Sequence, residues 1–120
     1  MDKKHIQYYI LSLLGVISGI VLDQYTKALA VERLKSGKPF VIIENIFQLH
    51  YLENRGAAFG MFQNQRTFFI ISFVIVMMAV LWIYRRLPAA KRFLPIYISG
   101  VLLVAGAFGN MIDRLRLGYV

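Results

Sequence analysis

Apolar positions along the chain gather into three runs, Ile6–Leu22, Thr67–Tyr84 and Phe93–Ile112, of 17, 18 and 20 residues without a single charge. A helix rises about 1.5 Å per residue and bilayer hydrocarbon is about 30 Å thick, so each run nearly or fully crosses it. The pattern predicts an all-α integral membrane protein, a single membrane domain with transmembrane helices at about 6–28, 67–84 and 93–112. The first helix is carried past Leu22 because Asp23-Gln24-Tyr25-Thr26-Lys27 contains no breaker, and Ser36-Gly37-Lys38-Pro39 is turn chemistry that ends it. From Phe40 the period changes. Phe40-Val41-Ile42-Ile43 is β-branched and aromatic, and Phe47-Gln48-Leu49-His50-Tyr51 alternates apolar and polar. That predicts a hairpin turning at Glu44-Asn45, a small outer β-cradle within about 39–62 that lies on the bilayer and holds a peptide or a lipid head group.

Composition agrees with the pattern. The 120 residues are 58% hydrophobic and 17% charged, with mean hydropathy +0.59, outside the range of an ordinary soluble domain. The first run is longer than a signal-peptide core and no small-x-small cleavage site leads into a soluble domain, so it reads as a retained helix. The net charge of +8 does not point to nucleic acid, because of where the charge sits. Lys3 and Lys4 precede the first span, and Arg85, Arg86, Lys91 and Arg92 crowd the connection between the second and third. By the positive-inside rule these segments are cytoplasmic, and Asp23–Arg66 shares the outer side with Asp113–Val120. With no cysteine, disulfides and thiolate chemistry are excluded.

Polar residues at the ends of apolar runs are candidates for function, since hydrocarbon penalises them unless they are paired or wet. Gly109-Asn110-Met111-Ile112-Asp113-Arg114 closes the third run, and the helical spacing lets Asn110, Asp113 and Arg114 share a face. Asp23 and Lys27 stand four apart in the carboxylate-first order that favours an ion pair. This pair reads either as an interfacial pair or, in the sharper version, with Asp23 as half of a catalytic pair with Asp113. Asn54-Arg55-Gly56-Ala57-Ala58-Phe59-Gly60 adds amide and guanidinium donors to a small-residue loop. Gly15-x-x-x-Gly19 in the first helix, and Gly100, Gly106 and Gly109 in the third, suit close packing. No serine elbow, metal-ligand spacing, phosphate-binding glycine loop or nucleic-acid motif is present, and His50 has no companion ligand on its side. Carboxylate chemistry at a membrane surface remains, and the residues alone identify no carboxyl pair.

Three motifs then carry a resemblance. Asp23-Gln24-x-x-Lys27, Asn54-Arg55-Gly56-Ala57-Ala58-Phe59-Gly60 and Gly109-Asn110-x-x-Asp113-Arg114, followed by Gly118-Tyr119-Val120, resemble the bacterial lipoprotein signal peptidase family, signal peptidase II. The resemblance covers essentially the whole chain. It implies a four-helix inner-membrane aspartic endopeptidase that cuts prolipoproteins before the diacylglyceryl-modified cysteine, needs no cofactor or metal, and is blocked by globomycin-type inhibitors. It implies substrate contact by Asn54, Gly56, Asn110 and Arg114, and structural support from Asp23, Lys27 and Asp113. Prolipoprotein and membrane phospholipid are the expected partners, and nucleic acid is not. In the family the two catalytic acids lie in a Val-Asp-Phe segment following Gly-Tyr-Val and in a later Asn-x-Ala-Asp segment. The sequence ends at Val120, so the expectation is a C-terminally truncated peptidase, without catalytic residues of its own or the fourth helix and inactive alone. The competing expectation is a non-enzymatic three-span membrane fragment or partner protein.

Overall fold

The computed structural model describes residues 2–55 and 66–120. Its elements are helix α1 (Lys3–Leu34), strands β1 (Phe40–Ile43) and β2 (Phe47–Leu49), helix α2 (Arg66–Arg86), a 3-10 turn (Lys91–Phe93) and helix α3 (Leu94–Arg116). All three α-helices are long and apolar enough to cross a membrane, and the chain is a multi-pass membrane protein with a small antiparallel sheet. Each span exceeds its apolar run. α1 continues to Leu34, because nothing before Gly37 (φ +103) interrupts the backbone. Asp2 caps its first turn, accepting from the His5 backbone N–H at 2.9 Å. That bond first, and the His5 ring second, hold the Asp2 carboxyl below its ordinary range.

α3 is the helix against which α1 and α2 pack. On α1, Gly15 lies against Val101, and a Cβ at Gly19 would come within 2.7 Å of the Ala105 Cβ. The Gly15-x-x-x-Gly19 spacing is therefore the seam between α1 and α3, where small residues let the two backbones approach. Gly106 differs from the expectation of tight packing: nothing lies within 4 Å of where its Cβ would be, because it faces away from the seam. α2 joins through aromatic contacts, with the Phe73 and Phe108 rings edge to face at 5.0 Å.

Tyrosines fasten the end of the bundle opposite the hairpin. The Tyr9 hydroxyl donates to the Tyr84 carbonyl at 2.9 Å, linking α1 to α2. Tyr84 donates to the Tyr97 carbonyl at 2.5 Å, and Tyr97 to the Leu87 carbonyl at 3.1 Å. Pro95 sits in the first turn of α3, where its missing N–H costs nothing. Large apolar side chains elsewhere are exposed along the helices, including Leu11, Val21, Ile75 and Leu102, as lipid-facing surfaces require.

β1 and β2 pair antiparallel, Phe40 opposite Leu49, with an irregularity between Val41 and Ile43. The turn passes through Asn45 at φ 61, a conformation asparagine tolerates better than most residues. Every strand residue of the hairpin is exposed, and all but Gln48 are apolar.

Candidate functional site

At the hairpin end of the bundle, the last turns of α3 meet α1 on one side and the start of α2 on the other. Asp23, Gln24 and Lys27 follow one another along the face of α1 that meets α3. The Lys27 ammonium donates to Asp113 Oδ2 at 2.5 Å and to Asn110 Oδ1 at 3.0 Å, and lies 2.9 Å from Asp23 Oδ2. Gln24 Nε2 reaches Asp23 Oδ2 at 3.1 Å, Asp113 Oδ1 at 3.2 Å and the Gly109 carbonyl at 3.3 Å. Asp113 is only 3% exposed, so its carboxylate depends on these donors instead of water. Room for the arrangement comes from Gly109: any Cβ there would overlap the Asp23 carboxylate.

Chemically this is an ion-pair clamp. An acid dyad needs two carboxyl groups facing one another across a shared proton. Here the oxygens of Asp23 and Asp113 both turn to one ammonium, with the Gln24 amide bridging the flank. The sharper expectation, Asp23 and Asp113 as a pair, finds the two acids together with a lysine between them.

Arg114 points elsewhere. Successive residues of a helix are about 100° apart, so Asp113 and Arg114 address different neighbours. The Arg114 guanidinium lies over the Phe69 ring of α2 at 4.1 Å from its centroid. Arg66, the first residue of α2, donates from Nη2 to the Leu115 carbonyl at 3.2 Å and the Arg114 carbonyl at 3.4 Å. Two clefts consequently flank the end of α3. One, about 180 Å³, lies toward α1 and is lined by Gln24, Lys27, His50, Tyr51, Asp113 and Tyr119 among others. The other, about 200 Å³, lies toward α2, with Arg55, Arg66, Arg114 and Phe69 in its walls.

After α3 the chain reverses at Gly118, whose φ of +87 suits a residue without a Cβ. The backbone N–H of Leu117 donates to the Asp113 carbonyl at 2.7 Å, and that of Gly118 to the Arg114 carbonyl at 3.0 Å. The tail then pairs with the segment beyond the hairpin. Asn54 N–H donates to the Val120 carbonyl at 2.8 Å, and Val120 N–H to the Asn54 carbonyl at 2.7 Å. The Arg55 guanidinium lies over the Tyr119 ring at 5.1 Å. Nearby, the Tyr51 hydroxyl donates to Glu53 at 2.9 Å. Desolvation first, then the hydrogen bonds with Glu53 and Tyr119, push the Tyr51 phenol above its ordinary value.

Of the residues singled out from sequence, Asp23, Lys27, Asn110 and Asp113 thus form one network. Arg114 lines the neighbouring cleft and Asn54 holds the tail through its backbone. Gly56, with the rest of that motif through Gly60, lies outside the described residues. Gln24, Arg66 and Phe69 had been given no role. Gln24 was visible inside the Asp23-Gln24-x-x-Lys27 motif, whereas no local signal marks Arg66 or Phe69 as neighbours of Arg114.

Residues 15–120 match the family described as Signal peptidase (SPase) II. The chain is 39% identical over 110 residues to a lipoprotein signal peptidase of Clostridium novyi, covering 92% of this chain and 73% of that protein. It is 45% identical over 101 residues to one from Caldanaerobacter subterraneus subsp. tengcongensis, covering 84% and 68%. Among solved structures, a bacterial membrane enzyme determined by the in meso method at 2.3 Å resolution superposes with a TM-score of 0.76 and 31% identity, covering 92% of this chain and 66% of that one. A second, at 1.9 Å resolution, gives 0.71 and 31%, covering 92% and 70%.

Proposed function

The chain belongs to the signal peptidase II family of membrane aspartic endopeptidases, and from that premise we propose that it serves the removal of signal peptides from diacylglyceryl-modified prolipoproteins, by cleavage before the lipidated cysteine. The observation that carries this reading is the Lys27 clamp: it fixes Asn110 and Asp113 beside the cleft that the Tyr119-Val120 tail borders. In the proposed division of labour Asn54, Gly56, Asn110 and Arg114 contact the substrate, while Asp23, Lys27 and Asp113 support the site. Lys27 cannot leave Asp113 without leaving a carboxylate buried and uncompensated, so that acid is suited to scaffolding and poorly suited to activating water. The catalytic acids belong to the segments that follow Gly-Tyr-Val in the family. The pairing of Val120 with Asn54 holds the Gly118-Tyr119-Val120 stretch beside the cleft.

The same reading places the protein in a bacterial inner membrane, with Lys3, Lys4 and the Arg85–Arg92 connection cytoplasmic and the hairpin end outside. Globomycin-type inhibitors would then compete with the prolipoprotein in the cleft. A gel-shift assay on a diacylglyceryl prolipoprotein tests the assignment, run with the 120-residue chain and with a chain carrying a family C-terminal segment fused after Val120. Globomycin-sensitive cleavage by the longer chain is the expected result. Cleavage by the 120-residue chain, abolished by Asp113→Asn, would transfer catalysis to the Asp23 and Asp113 pair.

A further inference from the structure

The end of the bundle opposite the hairpin carries a groove to which the peptidase reading gives no role. It runs between α1 and α3, with a volume of about 400 Å³, and Leu11, Leu94, Ile98 and Leu102 wall it. Its floor is the helix seam, where a Cβ at Gly15 would come within 3.0 Å of a Val101 methyl group. The Tyr8 and Tyr97 rings meet edge to face at 4.8 Å beside it. Lys91 stands in its lining, and helical spacing puts Lys4 one turn before Tyr8 on the same stripe of α1.

Charge at this end is one-sided. Of the six acids in the chain, Asp23, Glu32, Glu44, Glu53 and Asp113 belong to the hairpin half. Asp2 remains, and its carboxylate is taken by the His5 backbone N–H at 2.9 Å and the His5 ring at 3.0 Å. The Arg86 and Arg92 guanidinium groups lie over the Trp82 and Phe93 rings. Lys4 and Lys91 are exposed and, among the described residues, meet no carboxylate.

We propose that this groove binds an anionic phospholipid of the adjacent leaflet, with one acyl chain along the groove and the phosphate on Lys4 and Lys91. A lysine ammonium serves phosphate as a point charge and needs no fixed geometry, which suits exposed side chains in the head-group layer. The apolar walls accept a chain from any lipid. Selection comes from the two ammonium groups, each of which favours an anionic head group over a zwitterionic one. A free phosphate would meet the same ammonium groups but leave the apolar walls unused. A second copy of the protein in the same orientation would bring its own Lys4 and Lys91 against these, and like charges repel. No residue of the groove belongs to the peptidase site, so the proposal stands or falls apart from that reading.

Native mass spectrometry of the 120-residue chain released from detergent tests the proposal, with dioleoyl phosphatidylglycerol, dioleoyl phosphatidylethanolamine and inorganic phosphate as separate probes. Wild type is expected to retain one phosphatidylglycerol in preference to phosphatidylethanolamine, and no phosphate. Lys4→Gln and Lys91→Gln should each weaken that retention about fivefold, the share of one basic residue near an anionic head group. Leu102→Trp fills the groove from an exposed position and should also lower it. Arg85→Gln changes a basic residue that lines no part of the groove and should leave retention unchanged. All these positions are exposed, so the variants keep the fold. Equal losses in Arg85→Gln and Lys91→Gln would reduce the effect to general surface charge and overturn the site. Equal retention of the two lipids, binding of inorganic phosphate as tight as that of the lipid, or a lipid-free dimer would overturn it as well.

Discussion

Lys27 of α1 and Asp113 of α3, 86 residues apart in the chain, meet at 2.5 Å at the hairpin end of the bundle. The contact joins the two helices at a point where one partner is almost wholly buried and the other 29% exposed. Removing the shared ammonium strands two carboxylates, whereas neutralising Asp113 leaves Lys27 its second partner, Asp23. Lys27→Met is therefore expected to destabilise by about 3 kcal/mol, the low end for breaking a buried pair because the ammonium still reaches water. Asp113→Asn should cost less. Unfolding of both variants in mixed detergent micelles checks this, and an Asp113→Asn cost equal to or above that of Lys27→Met would contradict the clamp.

Gly109 and Gly106 stand three residues apart on α3 with opposite surroundings. Gly109→Ala forces a methyl group into the Asp23 carboxylate and should cost about 1–3 kcal/mol, as overpacking does. Gly106→Ala meets open space and should be neutral or stabilising by up to about 1 kcal/mol through helix propensity. Thermal melts of the two variants side by side distinguish them, and similar losses in both would contradict the packing.

Tyr51 supplies a pH dependence. Its folded phenol lies above the ordinary value of 10.0, so the stabilisation is fully present below pH 10 and is lost as pH rises through the folded value. Absorbance titration at 295 nm should show a step for Tyr51 above the ordinary tyrosine range. Glu53→Gln should move that step to lower pH, and Tyr51→Phe should delete it. A late step that survives Tyr51→Phe belongs to another tyrosine.

The backbone pair between Asn54 and Val120 predicts protection of both amides. Hydrogen exchange should find the amides of both residues slowed together. Asn54→Pro removes the N–H that bonds the Val120 carbonyl and should release both. Rapid exchange at Val120 in the wild-type protein would exclude the pairing.

The three spans were legible because lipid demands apolar length, and the hairpin because β-branched residues flank an asparagine turn. Helix ends were less so. The apolar run of α1 stops at Leu22, but the backbone continues to Leu34 because hydrogen bonding, not hydropathy, sets its limit. The spacing of Asn110, Asp113 and Arg114 permitted one face. Yet Arg114 turned to Phe69 and Asp113 to Lys27, a choice made by neighbours that lie far away in sequence. Gln24 went without a role because an amide between an acid and a base attracts no attention until the acceptors around it are known. The reversal at Gly118 that returns Val120 to Asn54 depends on a single positive φ, which a glycine permits but does not announce.

The Asp23–Lys27 bridge bears on how the protein enters the bilayer. Synthesis delivers α1 before α3 exists, so Asp113 is not yet available to Lys27. With Asp23 four residues away on the same helix, the ammonium has a counter-ion within α1 itself, independent of any contact with Asp113. Asp113 later docks on a charge already in place, which makes the ion pair within α1 an assembly guide as well as a feature of the finished bundle.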